Sequence, residues 1–433
     1  MRYYNLKNPA ITTGFRDAVI RGISSDMGLF MPEQIPVMEA DFFRRLPQLS
    51  LPEIAMEVGA RYTGEDIPPP ELRRICEEAF DFPVMLRQID DRKQVLELFH
   101  GPTAAFKDFG ARFMAGCFRY FVSQDNKRTV VLVATSGDTG GAIASSFLGV
   151  ENVDIIVLYP SGKVSRLQEN QITTLGQNIT ALEVSGSFDD CQAMVKIALT
   201  SPDTGRRIRL TSANSINIAR LIPQTFYYFY AVGRAGDGQV ISVPSGNFGN
   251  ITAAAMAWRS GLNIRHLVAA TNLNRVVPDY LATGVYSPSP SLQTIASAMD
   301  VGNPNNFDRF RHLLSDDFEK MTREVTGYWF DDDRIRQHIK EEFLRSGYIL
   351  DPHGAVASMG LDNYLNEHPG FTGIFVETAH PAKFIDVVEP MTGEAVEMPE
   401  SLKGAMHGRK QSVLIKAGYS HLAHYLSDRY LSG

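Results

Sequence analysis

Lys107 lies between Phe106 and Phe109 in the run His100-Gly101-Pro102-Thr103-Ala104-Ala105-Phe106-Lys107-Asp108-Phe109-Gly110. Apolar neighbours disfavour an ammonium and lower its pKa. The neutral amine that results is the species that forms a Schiff base with a carbonyl. An ordinary helical lysine would instead run its stem along the surface and pair with Asp108 or another acid. The rest of the chain has to decide between the two.

Two glycine-rich turns bear on that choice. Thr129-Val130-Val131-Leu132-Val133 is short and β-branched and reads as a buried parallel strand. It runs into Ala134-Thr135-Ser136-Gly137-Asp138-Thr139-Gly140-Gly141 and a helical stretch from Ala142 to Phe147. Val240-Ile241-Ser242-Val243 likewise feeds Pro244-Ser245-Gly246-Asn247-Phe248-Gly249-Asn250 and an alanine-rich helix from Ile251 to Trp258. Glycines let successive N–H groups face one point, and a helix start adds its positive end, so each turn is a candidate anion cradle. Either turn alone is equally a tight strand-to-helix connection with no ligand. Beside a Schiff-base lysine, the two together suit a cofactor phosphate and an anionic substrate group.

In their order along the chain, His100 to Gly110, Ser136-Gly137-Asp138-Thr139-Gly140, Asn214-Ser215-Ile216-Asn217-Ile218-Ala219-Arg220, Ser245 to Asn250 and Glu377-Thr378-Ala379-His380-Pro381-Ala382-Lys383-Phe384 resemble the motifs of threonine synthases. Tyr4-Asn5-Leu6 and Asp26-Met27-Gly28-Leu29-Phe30-Met31-Pro32 resemble that family's N-terminal domain. The resemblance covers nearly the whole chain and is least secure beyond about Pro390. It implies an α/β fold of the type II class of pyridoxal phosphate (PLP) enzymes. Two open twisted α/β domains would hold the cofactor between them, with an added N-terminal, mostly helical domain.

What the resemblance implies for residues follows its motifs. Lys107 would carry PLP and move substrate protons. Ser245, Gly246, Asn247, Phe248, Gly249 and Asn250 would hold the cofactor phosphate through backbone N–H groups. Thr378 would face the pyridine nitrogen with a hydroxyl, which moderates the electron sink because it cannot stabilise a protonated nitrogen by charge. Ser136, Gly137, Asp138, Thr139 and Gly140 would take the substrate's α-carboxylate. Many relatives of this fold have Asn at Asp138, and a carboxylate there is awkward beside an anion; either it is protonated or it points away to hold the turn.

Asn214, Ser215, Asn217 and Arg220 would bind a substrate phosphate. Asn217 and Arg220 form an i, i+3 pair on one helical face, and an arginine fork matches phosphate oxygens bidentately. A helix cap followed by a surface arginine would use the same residues. The phosphate subsite suits O-phospho-L-homoserine over the carboxylate-only substrates of dehydratases. The reaction implied converts O-phospho-L-homoserine and water to L-threonine and phosphate. A PLP lyase that stops at phosphate elimination, or a serine/threonine dehydratase, shares most of these parts; a ligand-sensing homologue would have little use for Lys107.

The elements that position these groups follow from composition shifts. Residues 1–90 are rich in Pro, Arg and Glu and read as a separate helical cap, with Pro68-Pro69-Pro70 preceding a helix from Glu71 to Phe80. Residues 129–209 alternate strand and helix and are expected to form the small α/β domain. Residues 91–128 and 210–433 are expected to form the large PLP-binding domain, with a helix around Ile216 to Val232, strands near Leu267 to Ala270 and Gly373 to Glu377, helices between Asp308 and Lys340, and a tail helix around His421 to Leu426 covering it.

Composition sets limits. A chain of 433 residues suggests two or three domains, and 44% hydrophobic with 21% charged residues is ordinary for a globular enzyme. A net charge of −7 without a basic tract argues against nucleic acid and acidic membranes as partners. No apolar run reaches roughly 18 residues and Met1 to Asn5 lacks a signal-peptide core, so a cytoplasmic protein is expected; its assembly is expected to be a monomer or homodimer. Cys76, Cys117 and Cys191 have no Cys-x-x-Cys spacing and read as buried hydrophobes. His421 and His424 lack further ligands, so no metal is expected. His353 and His380 read as lining the site, and Lys163 as either solvated or approaching it. Neither a Gly-x-Ser-x-Gly elbow nor a Gly-x-Gly-x-x-Gly turn is present.

Overall fold

The computed structural model describes residues 1–125, 127–201, 208–404 and 408–430. Near the N-terminus, β1 (Arg2–Asn5), β2 (Thr12–Gly14) and β3 (Phe30–Pro32) form an antiparallel sheet in the order β2-β1-β3. Helices Phe15–Arg21, Leu51–Thr63 and Pro69–Ala79 accompany it. Ser50 and Glu53 start the second of these with a capping box, each side chain bonding the other's backbone N–H. The proline cluster starts the third, where a missing N–H costs nothing.

A larger sheet contains β4 (Met85–Gln88), β5 (Lys93–Glu97), β10 (Gln239–Pro244), β11 (Ile264–Thr271), β12 (Val325–Trp329) and β13 (Gly373–Glu377) in the order β12-β11-β10-β13-β5-β4. Only β4 in it runs antiparallel to its neighbour. A second, all-parallel sheet contains β6 (Thr129–Ala134), β7 (Val153–Pro160), β8 (Ile179–Ser185), β9 (Arg209–Ser212) and β14 (Val413–Lys416) in the order β14-β8-β7-β6-β9. Both sheets are covered by helices on their faces, so β6 and β10 are buried along their whole length and read as unbroken apolar runs.

The sheets depart from the expected boundaries in three places. Met85–Gln88, placed with the N-terminal part, pairs with β5 in the larger sheet. Arg209–Ser212 is an edge strand of the smaller sheet, which therefore extends past residue 209. The tail does not cover the larger sheet: β14 pairs with β8, and the helix Tyr419–Tyr430 packs on the helix Phe188–Thr200 with Leu422 and Leu426 fully buried. Covering the β8 edge is the physical gain.

Two helical readings also change. Pro223 divides the expected helix into Ile218–Leu221 and Gln224–Ala235. A long helix, Pro352–Glu367, crosses the larger sheet beneath β10, β11 and β13 and was not expected, because burial on nearly every side leaves it no amphipathic period. The C-terminal ends of β5, β6, β9, β10 and β13 lead directly to Thr103, Ser136, Asn214, Ser245 and Thr378. Parallel strands place such loops at one edge of a sheet, where ligands of open α/β folds bind.

Leu426→Ala tests the placement of the tail. Losing a fully buried leucine should lower the unfolding free energy by about 2–5 kcal/mol in urea titrations. A change below about 0.5 kcal/mol is what a surface position gives, and would put the tail helix off the small sheet.

Candidate active site

Lys107 is the first residue of the helix Lys107–Val122. Its ammonium nitrogen lies 5.2 Å from the Phe106 ring centroid and makes no hydrogen bond or ion pair among the described residues. Burial lowers its pKa, Lys383 and Arg220 lower it further by like charge, and Asp138 and Asp351 act in the opposite sense. Ala104, just upstream, holds a left-handed φ of 53°. Asp108 braces that bend, accepting from Thr103 N at 2.9 Å and from Thr103 Oγ1 at 2.6 Å. Asp108 therefore folds the loop and is no partner for the lysine.

The turn from Ser245 leads into the helix Gly249–Arg259. Ser245 spends its own N–H on Ala270 O, at 2.8 Å, and its hydroxyl on Val243 O. Among the described residues, nothing accepts from the N–H groups of Gly246, Asn247, Phe248, Gly249, Asn250 and Ile251. Phe248 holds a left-handed φ of 60° that turns this backbone inward. Asn250 Oδ1 accepts from Tyr227 and Tyr228, both at 2.6 Å, while its buried Nδ2 has no partner. The combination is a ring of inward-facing donors at a helix start, the chemistry of a phosphate cradle.

In the Ser136 turn, Thr135 is the organiser. Its hydroxyl accepts from Gly137 N and Gly140 N, both at 2.9 Å, leaving the N–H groups of Ser136, Asp138 and Thr139 without an acceptor among the described residues. Gly137 has no room for a side chain, since a Cβ would lie 2.5 Å from the Gln168 amide. Asp138 is ionised and held: Oδ1 accepts from Lys383 Nζ at 2.8 Å and from Gln168 Nε2 at 2.9 Å. Burial opposes its charge, but Lys383, Lys107 and Gln168 keep the carboxyl well below the usual range. Lys383 lies in the Glu377-to-Phe384 motif but had no role assigned from it, and Gln168 had no signal in the sequence beyond a Ser165-to-Gln168 capping box.

The Asn214-to-Arg220 segment touches both turns. Asn214 Nδ2 donates to Ala134 O at 2.8 Å and Oδ1 accepts from Ala134 N at 3.2 Å, while Ser215 Oγ accepts from Asn247 Nδ2 at 2.6 Å. Asn217 is differently occupied from the expectation. Its Nδ2 donates to Val19 O and Ser212 O, and its Oδ1 caps Ala219 N, so the amide is spent on joining the N-terminal part to the helix start. Arg220 is buried, donates from Nη1 to Ala213 O, and leaves Nε unpartnered; burial pushes its pKa down to about 10 against the attraction of Asp108. No carboxylate bonds to it among the described residues. Arg309, unforeseen and fully buried, ties Phe30 O, Ile216 O and Asn306 together behind this segment.

Thr378 follows β13. Its carbonyl accepts from Phe106 N at 2.8 Å and its hydroxyl has no partner among the described residues. The neighbouring Glu377 faces the other way, accepts from Asp351 N, and is pushed well above its ordinary pKa by burial and by Asp351. His353 donates from Nδ1 to Asp351 and accepts from Ala298 N, and so supports the Ala298–Met299 backbone against which Gly246 packs. His380 accepts from Ala382 N, and Lys163 is exposed. His421 and His424 lie on the exposed side of the tail helix. Among the described residues, His338, Glu342 and Asp362 cluster closely enough for a metal, but Lys93 already places its ammonium on both acids.

Comparison with known proteins matches this arrangement to described families. Residues 95–373 match the pyridoxal-phosphate dependent enzyme family, residues 2–80 the threonine synthase N terminus and residues 354–425 the threonine synthase C-terminal family. A threonine synthase of Haemophilus influenzae is 43% identical over 93% of this chain and 94% of that protein. The chain belongs to the threonine synthase family. The crystal structure of Escherichia coli threonine synthase superposes with a TM-score of 0.93 at 38% identity, covering 99% of this chain and all of that one. A PLP-bound threonine synthase from Brucella melitensis gives 0.91 at 32% identity over 99% of each chain.

The residues here fit PLP by their own chemistry: an unpaired amine at Lys107, open N–H donors from Gly246 to Ile251 and a free hydroxyl at Thr378. Gly246 and Thr139 separate the two turns experimentally. A Cβ at Gly246 would lie 2.7 Å from Met299 Cα and 2.9 Å from Ala298 O, so Gly246→Val must displace backbone and should abolish PLP retention. Thr139→Val should keep the yellow cofactor and weaken substrate-induced spectral changes. PLP titration of both variants decides, and the reverse pattern would exchange the turns' roles.

Proposed function

We propose that the chain converts O-phospho-L-homoserine and water to L-threonine and phosphate, using the residues just described. Bound PLP supplies an electron sink for negative charge developing on the substrate's carbons. Lys107 would anchor it, and its neutral amine is the base that takes the α-proton and then a β-proton. The N–H groups of Ser136, Asp138 and Thr139 orient the α-carboxylate, with the Ser136 and Thr139 hydroxyls beside them. Gly246 to Asn250 would hold the cofactor phosphate, and the Thr378 hydroxyl would serve its ring nitrogen. Ser215 and Arg220 receive the substrate phosphate as it leaves the γ-carbon, with Asn214 and Asn217 fixing the segment that presents them.

The buried Arg220, which meets no carboxylate and leaves Nε without a partner among the described residues, is the observation that supports a phosphorylated substrate. An isolated buried cation is costly and calls for an anion. A dehydratase acting on serine or threonine would have no group to offer it. A phospho-lyase would use the same phosphate site and differ only in whether water adds at the β-carbon. The substrate is a small molecule; a monomer or homodimer in the cytoplasm remains our reading, and no helix among the described residues is long and apolar enough to cross a membrane.

Arg220→Lys tests this proposal. Lysine keeps the charge but loses the fork, and loss of a charge-assisted contact to a buried anion costs about 1.5–3 kcal/mol. Turnover of O-phosphohomoserine should therefore fall about ten- to a hundredfold, with PLP still bound. An unchanged rate would remove Arg220 from the substrate site.

A further inference from the structure

Lys383 is a second lysine buried in the cleft, and the proposed reaction gives it no role. It lies in the 3-10 turn Pro381–Phe384 that follows β13, whereas its partner Asp138 begins the helix that follows β6 in the other sheet. Their 2.8 Å ion pair thus spans the two sheets, with side-chain exposures of 0% and 3%. The same stretch of chain holds both lysines in place. Ala105 bridges to Ala379, His380 N donates to Ala104 O and Lys383 N donates to His380 O, so Lys383 hangs from the segment that leads into Lys107. Asp138 is fixed from the other side by Gln168, whose neighbour Leu167 packs on Ala104.

Asp138 therefore has a choice of cations. Lys107 lies within its electrostatic reach, yet Asp138 Oδ1 bonds Lys383 and Lys107 bonds nothing among the described residues. We propose that Lys383 is a positioning residue of the active site, which sequesters the Asp138 carboxylate across the cleft and so leaves Lys107 an unpaired amine. The charge pair also lets an aspartate sit in an anion-binding turn: Lys383 neutralises it, and the neighbouring N–H groups keep their attraction for a carboxylate. The inference rests on the proposed role of Lys107. The charged groups that face Lys107 are Asp138, Lys383, Arg220 and Asp351. Removing Lys383 takes away one like charge and frees one opposite charge, and both changes favour the Lys107 ammonium.

The test reads the lysine directly and does not depend on turnover. The full chain, freed of PLP, is treated with acetic anhydride across a pH series, and acetylation of Lys107 is followed by peptide mass spectrometry. The expected result for Lys383→Met is a rise in the Lys107 midpoint of about one pH unit or more, since a nearby opposite charge shifts a pKa by that order. Lys383→Arg, which preserves the charge, should keep the wild-type midpoint, and adding Asp138→Asn to Lys383→Met should bring the midpoint back down. A folded Lys383→Met with an unmoved midpoint, or a double variant as high as the single one, overturns the proposal. If Lys383→Met fails to fold, Lys383→Gln keeps an amide donor for Asp138, drops the charge and is read by the same outcomes. Borohydride fixation of PLP in the wild-type holoenzyme tests the underlying reading separately: label on a lysine other than Lys107 would end that reading, whatever the midpoints show.

Discussion

A neutral amine has to be kept within a cleft that must also attract anions, and most of the site follows from that requirement. Cations that draw in a phosphate and a carboxylate also discourage a proton on Lys107, so the two demands reinforce each other. Lys107 opens a helix, whose positive end acts in the same direction. Acids work against it, and each nearby acid is otherwise engaged: Asp108 braces the Thr103 loop, Asp138 pairs with Lys383, and Asp351 caps the helix Pro352–Glu367 and bonds His353. The arrangement is one of acids given other partners, not of acids removed.

The two sheets provide the geometry for this. Backbone N–H groups can face an anion only where no carbonyl has claimed them, and the start of a helix after a parallel strand is such a place. The protein uses it twice, after β6 and after β10, and joins the two turns through the Asn214-to-Arg220 segment. That segment is itself held from the N-terminal part by Asn217 on Val19 and by Arg309 on Phe30. The N-terminal part thereby braces the segment that joins the two turns.

Much of the fold could be read in the chain because both sheets are mostly parallel and their central strands are buried. β6 and β10 are unbroken apolar runs, and the glycine turns that end them are visible as text. What escaped reading had weaker local signals. Pro352–Glu367 is buried all round and shows no period, and β14 is a short strand whose pairing with β8 depends on chain more than two hundred residues away. At the site, Lys107 and the two turns were legible because their chemistry is local. Lys383, Gln168 and Arg309 were not, because each matters only through a partner brought close by folding. Asn214 and Asn217 show the complementary case: the motif singles out their segment, while the hydrogen bonds show their amides spent on holding it.

In the proposed reaction phosphate leaves carbon and a water oxygen takes a place on the neighbouring carbon. Running the reaction with O-phospho-L-homoserine in water enriched in oxygen-18 tests it most directly, with the amino acid, keto acid and phosphate analysed by mass spectrometry. The expected product is threonine labelled at its side-chain hydroxyl, released with an equal amount of unlabelled phosphate. Accumulation of 2-oxobutyrate as the main product, or labelled phosphate released with homoserine, would contradict it.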